Sequence, residues 1–153
     1  MAMELARWLH MLGIVVWVGG MFFAYIVLRP AAVNALEPPH RLRLWVETLG
    51  RFFQWVWVSV AIILGTGVHM IMALGGVNAP LHARTMTILG VIMMMIFAHV
   101  AFAPYAQLRR AVAASDWPAG GAALGRVRRL VGVNLVLGAI TLTVAILGRL
   151  LPT

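Results

Sequence analysis

Four stretches of the chain are apolar almost without interruption, at about 5–28, 52–74, 81–106 and 130–151. A bilayer core of about 30 Å is crossed by roughly 20 apolar residues in a helix. Each stretch meets that length. The first stops at Arg29-Pro30 and the second at Gly75-Gly76, while the third begins after Pro80, a residue favoured at helix starts. The pattern predicts an all-α integral membrane protein, an antiparallel four-helix bundle. Residues 1–153 are read as a single four-span membrane domain.

The connections carry patterns of their own. Leu42, Trp45, Val46, Leu49, Phe52 and Phe53 recur at helical spacing, with Arg41, Arg43 and Glu47 between them. That predicts a cytoplasmic interfacial amphipathic helix leading into span two. In the second linker, span three is expected to continue as helix through Leu108-Arg109-Arg110 to Ala114. Asp116 ahead of Trp117-Pro118 is a good N-cap for the run into span four. The linker then reads as a helical hairpin in the cytoplasm.

Charge fixes the expected orientation. All 12 basic residues are Arg. Nine of them, Arg29, Arg41, Arg43, Arg51, Arg109, Arg110, Arg126, Arg128 and Arg129, fall in the linkers after spans one and three. Only Arg7, Arg84 and Arg149 fall on the other side. The positive-inside rule places the Arg-rich linkers in the cytoplasm and both termini outside, in a bacterial-type inner membrane. The first stretch exceeds the 7–15 residues of a signal-peptide core, so it is read as an uncleaved span.

Composition removes several function classes. Of the residues, 63% are hydrophobic and 10% charged, which excludes a soluble monomer and a disordered chain. The Arg residues flank apolar segments and are read as lipid-headgroup contacts, with no nucleic-acid partner. There is no Cys, so disulfides, Cys-ligated zinc and thiol catalysis are excluded. The four acids lie at ends or in linkers, and no phosphate loop or intramembrane acid pair appears.

Polar residues inside the spans are costly and mark partners or cavities. His10 and His69 fall about five residues inside the outer ends of spans one and two, at similar depth. His82 and Arg84 open span three on the same side. Gln54, His99 and Asn134 form an inner group, read as a polar path for protons or ions. His10, Gly13, Trp17, Gly20 and Ala24 share one helical face, and its small residues allow either close helix approach or room for a flat cofactor. Two imidazoles from different helices suit haem iron, or copper with softer ligands. Each histidine could instead be bonded singly to a carbonyl or to interfacial water. Met11 and Met70 adjoin His10 and His69, but neighbours on a helix point about 100° apart. Most methionines are read as packing.

Leu9-His10, Trp17-Val18-Gly19-Gly20-Met21-Phe22-Phe23 and Leu28-Arg29-Pro30-Ala31-Ala32 resemble the first span of CopD-family proteins, the copper resistance D domain. Arg51-Phe52-Phe53, Asp116-Trp117-Pro118, Arg129-Leu130-Val131 and Asn134-Leu135 are similar to that group too. This resemblance implies copper handling at the inner membrane. More distantly, the chain resembles HemJ-type protoporphyrinogen oxidases, which bind haem b. There a His is followed seven residues later by Trp, as His10 and Trp17 are here, and His99 falls where that family has a third-span His. The Leu-His-x-Lys opening of that family's third span reads Leu81-His82-Ala83-Arg84 here. Arg cannot readily act as a base, which weakens the case for oxidase activity. This likeness implies a haem, with a membrane redox partner or quinone.

The expectation is therefore a His-ligated redox metal centre near the outer leaflet. Its ligands would be His10, then His69, then His82, with Trp17 alongside and Arg84 pairing with a haem propionate. Haem b is preferred to copper as the cofactor. Copper binding or transport is the first alternative, at a three-coordinate site of His10, His69 and either His82 or Met70, with transfer inward past His99. A cofactor-free membrane assembly partner is the second. The bilayer is the expected surrounding, and a homo-oligomer is compatible with the sequence.

Overall fold

A computed structural model describes residues 1–148. Arg149 and the expected outer end of span four at 151 lie outside the described residues. The chain folds into α1 (Ala2–Ala35), α2 (Pro38–Ala73), α3 (Leu81–Phe102), α4 (Pro104–Ala113) and α5 (Trp117–Leu147). No strand occurs among the described residues. Four segments, with α3 and α4 counted together as Leu81–Ala113, are long and apolar enough to cross a membrane.

Local chemistry sets the ends. Glu37 precedes a proline and is extended, which stops α1 and lets Pro38 open α2. Gly75 and Gly76 take positive φ, 101° and 61°, and turn the chain after α2. Asp116 caps α5 as expected: its Oδ1 accepts from the Ala119 amide at 3.0 Å. Just before it, Ser115 sits at φ 55°. Its amide reaches Val112 O, and that of Asp116 reaches Ala111 O, so α4 ends in a Schellman turn.

Proline also shapes helix interiors. Pro30 has no amide proton and its ring crowds the carbonyl of Ile26, and α1 widens into a π-helical turn over Phe23–Leu28 just upstream. A second wide turn, Val15–Gly19, surrounds Trp17. Pro104 does more. The expected continuous third helix is broken at Ala103 (φ −109°, ψ −81°), because proline cannot bond to Val100. The break redirects α4 beside α2 and α5. There Tyr105 donates to Val46 O at 3.1 Å and Arg126 donates to Gln107 Oε1 at 2.7 Å.

The first linker also differs from expectation. The linker is helical, as expected, but among the described residues it is not a helix separate from span two. Nothing between Pro39 and Gly75 breaks the helix, so residues 38–51 are the first turns of α2. Their apolar stripe, Leu42, Trp45 and Leu49, is buried within the protein, with Leu42 against Gly120 of α5.

The helices run antiparallel in sequence order. Gly13 meets Ile63 and Gly20 meets Phe52, so α1 and α2 run in opposite directions. Asn134 reaches Met93 and Gly148 meets His82, which sets the same relation between α3 and α5. The core centres on Trp17, Phe53 and Phe97, whose rings meet edge to face at 5.4–6.0 Å, with Val56 and Val100 fully enclosed. The outer surface is apolar too. Val15, Phe22, Phe23, Trp55, Leu64, Ile88 and Val136 are all exposed. Such a surface suits lipid and would be a liability in water.

Candidate functional site

His10 lies on the α1 face that packs against α2, and it is half-buried. Its Nδ1 is 2.8 Å from Thr66 Oγ1. The Thr66 hydroxyl has one proton, and it is directed at Ile62 O, 2.6 Å away. Thr66 must then accept from His10, so His10 carries its proton on Nδ1. The Nε2 lone pair is left available. A neutral imidazole oriented through one nitrogen and open at the other is the usual form of a metal-ligating histidine. Gly67 lies beside the ring: a Cβ there would stand 3.5 Å from His10 Cε1, in ordinary van der Waals contact.

The other expected ligands are placed differently. His69 follows Thr66 by three residues, nearly one turn beyond the level of His10, and it is exposed. Met70, beside it, is half-buried. His82, in the first turn of α3, packs against Gly148. Its Nδ1 is buried and has no hydrogen-bond partner among the described residues. Arg84 is exposed and donates to Val77 O at 3.3 Å, tying down the loop before α3. Among the described residues, no three His, Asp or Glu side chains gather as a metal-binding group. The structure therefore joins His10 to α2, and does not gather His10, His69 and His82.

The shared face of His10, Gly13, Trp17, Gly20 and Ala24 does point inward. Its glycines bring helices together. A Cβ at Gly13 would stand 2.8 Å from Ile63 Cγ1, and one at Gly20 would overlap the Phe52 ring. The space that a porphyrin would need on this face is filled by those two side chains. Trp17 is core, with its ring 6.0 Å from that of Phe97.

The inner group is not assembled as a path. Gln54 and His99 are exposed, and only Asn134 is buried. Asn134 Nδ2 donates to Met93 O at 3.3 Å, while Oδ1 has no partner among the described residues. Beside it is a small cavity between Trp17, Met21 and Phe97, large enough for about one water.

Thr66 falls inside the second apolar stretch, and hydropathy alone does not pair it with His10. The signal lies in the register. Positions 13 and 63 are in contact, and the same antiparallel sum brings 10 opposite 66.

The family model for CopD, copper resistance protein D, covers residues 46–147. No curated protein and no solved structure matches the chain.

Proposed function

The chain belongs to the CopD family, copper resistance protein D, and from that premise we propose that it handles copper as its substrate, with His10 as the anchoring ligand. The observation that carries this reading is the His10–Thr66–Ile62 chain of hydrogen bonds, which fixes the tautomer and frees Nε2. Imidazole nitrogen and thioether sulfur both bind copper. His69 and Met70 follow Thr66 within about one turn and are the nearest sequence sources of further ligands on α2. Nine Arg residues crowd the opposite end, so the positive-inside rule sets His10 on the outer side of the inner membrane, with both termini.

A porphyrin fits this face poorly, because Ile63 and Phe52 fill the glycine positions. Redox work with a membrane partner or quinone belongs to that haem reading and stands or falls with it. Polar contacts such as Asn134 with Met93 O lock helices together, as a cofactor-free assembly partner would also require.

Cu(I) titration of the detergent-purified chain against a competing chelator tests the proposal. Binding that is lost in His10→Ala supports it. Equal binding by the variant, or none by the wild type, overturns it.

A further inference from the structure

Eleven Arg residues fall within the described residues, and only Arg29, Arg41 and Arg128 are half-buried. Arg29 and Arg128 line one groove, and Arg41 acts on Arg128 at electrostatic range. Like charges gathered at a half-buried site repel unless something neutralises them. Among the described residues, no carboxylate pairs with any of the three. The ion pairs of the described residues are Arg7 with Glu4 and Arg51 with Glu47. The arginine side-chain hydrogen bonds are those of Arg7, Arg84 and Arg126. The three guanidiniums therefore keep their donors free.

The surroundings are shaped for an occupant. Arg29 and Arg128 stand at a groove between α1, α2 and α5 whose floor includes Trp45, Leu49, Leu124 and Val127. The Arg29 guanidinium sits over the Tyr25 ring, 5.3 Å from its centroid, which restrains it at the groove mouth. Arg29 directly follows the first apolar stretch, and Arg128 just precedes the fourth. That is the level at which lipid phosphates sit.

We propose that Arg29, Arg41 and Arg128 form a site for a phosphate anion, with the apolar floor favouring the phosphodiester headgroup of an anionic lipid. Guanidinium binds phosphate through forked hydrogen bonds, and three of them offset the charge that the protein leaves unbalanced. The site lies at the opposite end of α1 from His10, so it is independent of the copper reading.

The test is thermal unfolding of the delipidated, detergent-purified chain with added lipid. Phosphatidylglycerol should raise the midpoint, and phosphatidylcholine should not. Arg128→Gln should raise the half-saturating phosphatidylglycerol concentration about five- to tenfold. Arg41→Gln should do the same, and it serves if Arg128→Gln does not fold. The exposed neighbour variant Arg129→Gln should leave the response unchanged. Without lipid, Arg128→Gln should unfold no lower than wild type, because a repelling charge is gone. A merely structural arginine would show the reverse. Inorganic phosphate alone, if it gives the full shift, assigns the site to a free phosphate; a shift with lipid only assigns it to the headgroup. Equal stabilisation by phosphatidylcholine, or an equal loss in Arg129→Gln, overturns the proposal.

Discussion

His10 Nδ1 and Thr66 Oγ1 lie 2.8 Å apart across the α1–α2 seam, and Thr66 is the acceptor because its own proton goes to Ile62 O. The contact sets both the orientation and the tautomer of the imidazole. It connects helix register to chemistry: the glycine-mediated approach of α1 to α2 creates the pair, and the pair leaves Nε2 open.

Thr66→Val keeps the shape of residue 66 and removes the acceptor. The expected result is Cu(I) affinity lower by on the order of 10- to 100-fold, the usual effect of losing a ligand's supporting hydrogen bond. Thr66→Ser should restore it. Chelator competition reads both. Unchanged affinity in Thr66→Val would show that the contact does not orient a ligand.

The glycines of α1 should differ sharply in tolerance. A side chain at Gly13 meets Ile63, whereas one at Gly19 meets nothing within 4 Å. Gly13→Leu should destabilise by about 1–3 kcal/mol through overpacking. Gly19→Leu should stay within about 0.5 kcal/mol of wild type. Unfolding in detergent measures both, and equal effects would contradict the seam described above.

Asn134 is buried with one amide oxygen unpartnered. Asn134→Leu replaces an imperfectly satisfied polar group by an apolar one of similar volume, and should be neutral or stabilising. Asn134→Ala enlarges the cavity and should cost about 1–3 kcal/mol. A large loss in Asn134→Leu would mean that its polarity is needed.

Tyr105 holds α4 to α2 through Val46 O, while its ring packs on Phe53 at 5.0 Å. Tyr105→Phe keeps the packing and should lose about 0.5–1.5 kcal/mol. An unchanged unfolding midpoint would remove that hydrogen bond from the account.

The membrane-length helices were legible because hydropathy and breakers report on length. The Asp116 cap was legible because its chemistry is local. Two connections were not. Hydrophobic spacing from Leu42 to Phe53 fits an interfacial helix and a helix buried in the protein equally well, and only the burial of Trp45 and Leu49 separates them. Pro104 was visible, but membrane helices tolerate proline, so its break at Ala103 depends on α4 packing against α2 and α5. For the site, depth was legible only to within about one helical turn, and azimuth was not legible. His10 stands opposite Thr66, three residues before His69; Thr66 and Gly67 occupy the side of α2 that faces α1, and His69 is exposed. A few residues of register decide that, and a single chain's hydropathy does not record it.

Copper content after Cu(I) loading, measured with the visible spectrum on the same detergent-purified samples of wild type and His10→Ala, tests the central claim most directly. The account predicts near-stoichiometric copper in wild type, little in the variant, and no Soret band in either. A Soret band lost in His10→Ala, or a wild-type protein that takes up no copper, would contradict it.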